Sequence, residues 1–146
     1  MWEALENVAP LVAPGGALVL AIYNDQGGGS RRWRFFKKTY NALPSFLRPP
    51  YTVLVAGPRE LYYLAVATAS GHPGRYFKNI AEYERTSLRG MSYRHDLIDW
   101  IGGYPFEVAK PEEVFDFYAR RRFTLKRLRT CGGGPGCNEF VFEKSS

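Results

Sequence analysis

Apolar positions along the chain fall into two spacings, and each predicts its own kind of element. Over residues 2–12, Leu5, Val8 and Leu11 recur at helical intervals, which predicts the end of an amphipathic helix. Pro14-Gly15-Gly16 turns the chain. The run Ala17-Leu18-Val19-Leu20-Ala21-Ile22-Tyr23 is then apolar without alternation and bounded by turn residues. It predicts a strand buried on both faces, as in a parallel sheet covered by helices. Asn24-Asp25-Gln26-Gly27-Gly28-Gly29-Ser30 is a loop at the strand's C-terminal end, where open α/β sheets bind ligands.

Ser30 is a helix cap candidate for residues 31–43, in which Arg31, Arg32, Arg34, Lys37 and Lys38 alternate with Trp33, Phe35, Phe36 and Tyr40. Pro44, Pro49 and Pro50 interrupt, and a second apolar helix is expected over residues 59–70. After the turn Gly71-His72-Pro73-Gly74 comes a short helix over 75–83. Ser92 is placed to cap a helix over 94–101, whose stripe is Leu97, Ile98 and Ile101, with Gly102-Gly103 at its end. Pro111 opens another, with Glu112 and Glu113 in its first turn, Val114, Phe115 and Tyr118 on its buried face and Arg120-Arg121-Arg122 at its end.

Residues 123–130 alternate as a strand, with Phe123, Leu125 and Arg127 on one face and Thr124, Lys126 and Leu128 on the other. A Gly-rich connection over 131–137 leads to a last strand over 139–143, with Phe140 and Phe142 on one side. Two neighbouring strands so joined predict an antiparallel pair.

The order and the motif Leu11-Val12-Ala13-Pro14-Gly15-Gly16 before an apolar strand resemble the C-terminal half of class I, Rossmann-like S-adenosylmethionine-dependent methyltransferases. There an L-x-P-G-G turn leads into the fifth strand, and a helix leads to a sixth strand paired antiparallel with the seventh. The matching stretches are residues 1–25 and 104–144, and Arg122 stands where that family has glycine. The resemblance implies an α/β fold: an incomplete Rossmann-like sheet of the last three strands, closed by an antiparallel hairpin, in a single domain. Residues 26–103 would form a mostly helical insert that serves as a substrate lid. It also implies S-adenosylmethionine as cofactor. The family's cofactor cradle, a strand–GxGxG–helix unit with an acid ending the next strand, has no counterpart in this chain. Activity of the chain alone is therefore not expected.

Composition adds little: 45% hydrophobic, 23% charged and 16% aromatic residues suit a globular chain. The net charge of +6 adds more, since it favours an anionic partner or, more simply, solubility. The basic, aromatic segment 31–40 fits a helix over the mouth of a site, with an anionic membrane surface as second reading and nucleic acid behind both. With neither a leader nor an uninterrupted apolar span visible, the cytoplasm is the default compartment.

Candidate chemistry gathers at two places. In Arg89-Gly90-Met91-Ser92-Tyr93-Arg94-His95-Asp96, His95 is a candidate general base, Asp96 or Asp99 its orienting partner, and Arg89 and Arg94 candidate binders of an anionic substrate group. The same residues also read as the solvated first turn of a helix. Tyr23, Asn24 and Asp25 end the central strand and border the family's substrate pocket, or close the strand in an Asx turn. Cys131 and Cys137 do not have a zinc spacing, so no metal is expected. The expected function is the C-terminal portion of a methyltransferase acting on a small molecule. The alternative is a non-catalytic binding or assembly module derived from one. In either case the strand over 17–23 lacks a neighbour, which predicts a homo-oligomer or a partner chain that supplies the missing strands.

Overall fold

The computed structural model describes residues 1–86, 90 and 92–145. They form a mixed α/β structure in two compact units, one of residues 1–31 with 107–146 and one of residues 32–106.

The first unit is an open four-stranded mixed sheet in the order β2-β1-β4-β3. Strand β1 (Ala17–Asn24) pairs antiparallel with β4 (Cys137–Lys144) from Ala17 to Tyr23. On its other side it pairs, in parallel, with β2 (Val108–Ala109) at Tyr23 and Asn24 only. Strand β3 (Phe123–Arg129) lies antiparallel on the far side of β4. The sheet thus has four strands where three are expected, because β2 is two residues long and too short to leave a periodic signal. Helix α1 (Trp2–Val8), the 3-10 turn Ala9–Leu11 and helix α7 (Pro111–Ala119) supply the rest of the unit.

One face of this sheet makes the core. Leu18 and Ile22 of β1 and Phe140 and Phe142 of β4 pack with Leu5, Ala9, Ala109, Val114, Tyr118 and Phe123. Tyr118 is wholly buried, and its hydroxyl donates to Leu5 O at 3.1 Å, which satisfies the one polar atom the ring brings inside. Burial raises its pKa. The expectation that β1 is buried on both faces is corrected here. Burial alternates along the strand, and Ala17, Val19, Ala21 and Tyr23 are exposed. Val19 is 71% exposed. The apolar run misleads because this second face is built of apolar residues that stay exposed among the described residues.

The facing of β3 is also corrected. Leu125 pairs with Phe142, and the next paired residue is Arg127, opposite Val141, so Lys126 is a bulge. Leu128 thereby falls opposite Phe140, on the same side of the sheet though 42% exposed, while Arg127 moves to the open face. Strict alternation assigns both wrongly. The turn into β3 carries a second special feature: Arg122 has φ +62°, in the left-handed region. The helix α7 runs straight into a strand with no glycine to take that conformation.

In the second unit, α2 (Gly28–Ala42) starts earlier than expected. Ser30 lies inside it and accepts from Gln26 N at 2.7 Å, while Asp25 Oδ1 accepts from Gly27 N at 2.9 Å. After the 3-10 turn Ser45–Leu47 comes α3 (Arg48–Ala69), 22 residues long. Pro49 and Pro50 do not interrupt it because they occupy its first turn, where the missing N–H would have no partner. Pro58 is tolerated inside it. Helices α4 (Gly74–Ala81), α5 (Tyr83–Thr86) and α6 (Tyr93–Gly102) follow, with Ser92 Oγ accepting from His95 N at the start of α6 as its cap. The core is small: Tyr40, Ala56 and Ile101, with Tyr51, Val55, Leu97, Ile98 and Trp100 against them. Gly102 fits only as glycine, since a Cβ there would lie 2.6 Å from the Tyr40 ring.

Arg122→Gly is expected to stabilise the first unit by about 1 kcal/mol, the left-handed penalty less the extra chain entropy of glycine. A rise in the denaturant midpoint checks this; an unchanged or lower midpoint counts against strain at Arg122.

Candidate functional site

The end of β1 is built to hold a loop. Asn138, fully buried one position inside the start of β4, donates from Nδ2 to Asn24 Oδ1 at 3.0 Å. Its Oδ1 accepts from Cys131 N at 3.2 Å. Gln26 Nε2 reaches Gly133 O at 3.0 Å, and Asn24 N donates to Gly136 O at 3.0 Å. The run Gly132-Gly133 takes φ of +67° and +82°, which glycine adopts at no steric cost, so the Gly-rich connection is a turn pinned to the strand end. Cys131 Sγ lies 3.2 Å from Gly134 O within it, and neither cysteine is in a disulfide. Among the described residues no group of three or more His, Cys, Asp or Glu side chains is placed to hold a metal.

Of the candidates at this end, Asn24 therefore orders the turn, and Asp25 caps the entry of α2. Tyr23 lies half-exposed on the open sheet face opposite Cys137. The strand–glycine–helix passage from β1 into α2 spends its amides within its own loop. Its Gly27 N is taken by Asp25, Gly29 N donates to Gln26 O and Gln26 N to Ser30 Oγ. Amides spent on their own loop are not aimed at a ligand.

In the second unit a different group comes together. The carboxylate of Glu60 accepts at Oε1 from Arg59 Nε (2.9 Å) and Nη2 (2.8 Å), and at Oε2 from Tyr76 (3.1 Å) and from Tyr93. Arg59 stacks 4.4 Å from the centre of the Trp100 ring, and Trp100 packs on Trp33 with 4.3 Å between centroids. Three elements, α3, α4 and α6, meet on this one carboxylate. Burial pushes the Glu60 carboxyl up, but hydrogen bonds from Tyr93 and Arg59 outweigh it and hold the group below its usual range. Burial, then the hydrogen bond to Glu60, raises the Tyr93 phenol well above its ordinary value. A carboxylate with four donors on it has no lone pair left for a substrate proton, so it works as a tie rather than as a base.

The nearby candidates arrange differently from expectation. His95 is exposed in the first turn of α6, its Nδ1 2.7 Å from Ser92 Oγ. Asp96 accepts from Tyr83, and Asp99 lies near Lys37. Lys37 is itself buried, donates to Trp100 O at 2.6 Å at the end of α6, and has its pKa lowered by that burial. Arg94 is exposed beside His95, and Arg89 lies outside the described residues. Arg59, Glu60, Tyr76 and Tyr93 were not candidates from the sequence. The signal that would have found them is that Glu60 is the only acid between Gln26 and Ala81. Comparison of the chain with protein-family models, curated proteins and solved structures finds no match.

Glu60→Gln is expected to destabilise the second unit by about 2 kcal/mol near neutral pH, the loss of charge-assisted bonds. Because the folded pKa of Glu60 lies below its unfolded one, its contribution is full above the unfolded carboxylate range and is lost as pH falls through the folded value. The gap between wild type and variant should therefore close on acidification. Denaturant unfolding followed by tryptophan fluorescence measures it, and a pH-independent gap would contradict the assignment.

Proposed function

We propose that this chain is the C-terminal, sheet-and-lid portion of an S-adenosylmethionine-dependent methyltransferase of the Rossmann-like kind, acting on a small molecule. Support comes from the Pro14-Gly15-Gly16 turn, which feeds the central strand and is hydrogen-bonded to the end of β4 through Gly15 N to Lys144 O and Lys144 N to Gly16 O. The last two strands form an antiparallel pair, and Arg122 takes a glycine-like conformation at the position where the family has glycine.

One observation carries the reading furthest. From Ala17 to Ile22, β1 is paired on the β4 side and has no strand partner on the other among the described residues. An apolar strand with an open edge accepts a further strand. In the proposed assembly a partner segment adds there, brings the Gly-rich cofactor turn, and leaves Tyr23, Asn24 and Asp25 at the mouth of the site. Within residues 32–106, Arg94 and His95 remain the proposed substrate-side cation and base.

Isothermal titration of the chain with S-adenosylmethionine should show no saturable binding. Mixed with a chain carrying the cofactor-binding half of a methyltransferase sheet, it should bind the cofactor, and the amides of residues 17–22 should exchange more slowly. Micromolar binding by the chain alone would overturn the missing-cradle reading. Unchanged amide exchange with no gain in cofactor binding would overturn the proposed assembly.

A further inference from the structure

Helix α3 is built inside out. Its charged side chains, Arg48, Arg59 and Glu60, are all engaged within the unit. Arg48 donates from Nε to Leu43 O at 3.1 Å and lies over the Tyr40 ring, while Arg59 and Glu60 form the tie described above. The opposite face carries Val53, Leu54, Pro58, Leu61, Tyr62 and Ala65, all of them exposed. Leu54 is 72% exposed and Leu61 67%. Between Val53 and Ala69 this face runs about 24 Å at 1.5 Å per residue. Phe46, just ahead of the helix, is 74% exposed. A surface helix normally shows the reverse distribution, and an apolar stripe of this length marks a binding surface.

Charge identifies the occupant. From Gln26 to Ala81 the chain has nine Lys and Arg residues and one acid, Glu60, whose oxygens are already taken. Residues 32–106 hold eleven basic and five acidic residues, while the rest of the chain holds nine of each, so the whole +6 belongs to this unit. A second copy docked face to face would set +6 against +6. An anionic surface gains instead, and the same unit carries exposed cations in Arg32 and Lys38 of α2 and Arg75 and Lys78 of α4. The face also offers no charged side chain and, apart from Tyr62 and Thr68 hydroxyls, few polar groups to pair with a protein. An acyl-chain boundary beneath acidic head groups requires no more than that. Among the described residues no helix is long and apolar enough to cross a membrane, so the contact is one of lying on the surface.

We infer that the outward face of α3 docks on an anionic phospholipid surface, drawn there by the net positive charge of its unit. This stands on the second unit alone and does not depend on the methyltransferase reading. The test is co-sedimentation of the whole chain with vesicles of phosphatidylcholine, with and without phosphatidylglycerol. The chain should bind the anionic vesicles, release at high salt and ignore the neutral ones. Leu54→Glu with Leu61→Glu should weaken binding at least about tenfold, and Arg75→Glu with Lys78→Glu should weaken it through the head groups. Thr124→Glu, exposed on the first unit, should not matter. All three variants alter exposed positions, and unchanged circular dichroism checks their folding. Failure of the wild-type chain to bind anionic vesicles overturns the inference, as does undiminished binding by the Leu54/Leu61 variant. So would self-association that this variant abolishes in the absence of any vesicle binding, which would give the face to a second copy.

Discussion

The inward turn of Arg59 and Glu60 is the constraint on which the second unit depends. A half-buried ion pair is tolerable only when its remaining hydrogen-bonding capacity is met, and Tyr76 and Tyr93 meet it. Once both charges of the helix middle point inward, α4 and α6 are fixed against α3 by the same oxygens. The apolar side of the helix is then left to face outward. The buried apolar core alone, among the described residues three with five more against them, would be a thin basis for the fold of this unit. The polar tie and the Lys37 and Asn41 contacts to the carbonyls ending α6 supply much of its specificity.

The first unit rests on a different principle. Strand β4 is central, hydrogen-bonded to β1 on one side and β3 on the other, and it sends Phe140 and Phe142 to the same face. Their rings stack 5.8 Å apart and Tyr118 packs on that of Phe142, so one strand positions both the ladder and the aromatic core. The open face carries cross-strand pairs of another sort, Lys126 with Glu143 and Arg129 with Glu139, exposed and of small energetic weight. Burial on one side and bare apolar residues on the other leave β1 half finished.

Much of this could be read from the residues. Helical spacing gave α1, α6 and α7, although Leu11 and Phe115, counted on the buried stripes, are exposed and Leu11 lies beyond the end of α1; Ser92 and Pro111 act at helix starts as their chemistry requires. Three features escaped because they depend on partners distant in sequence. The apolar run of β1 cannot say whether its second face is covered. Prolines at residues 49, 50 and 58 look like breaks until their place in α3 is known. The Glu60 tie joins residues 16 and 33 positions apart, beyond any local pattern. Of the candidate residues, Asn24 and Asp25 were legible as a strand end, and their structural bonds were not. His95 was legible as part of a helix start, where Ser92 holds it.

The bulge at Lys126 gives β3 an unusual tolerance. In a regular strand, gaining or losing one residue exchanges inside for outside along everything that follows. Here the extra residue is absorbed at one point, and Leu128 still returns opposite Phe140. The strand is written in two phases with a spacer between them. A one-residue deletion at Lys126 would join the phases into an uninterrupted ladder, whereas the same deletion in β1, which has no such joint, would carry Ile22 out of the core.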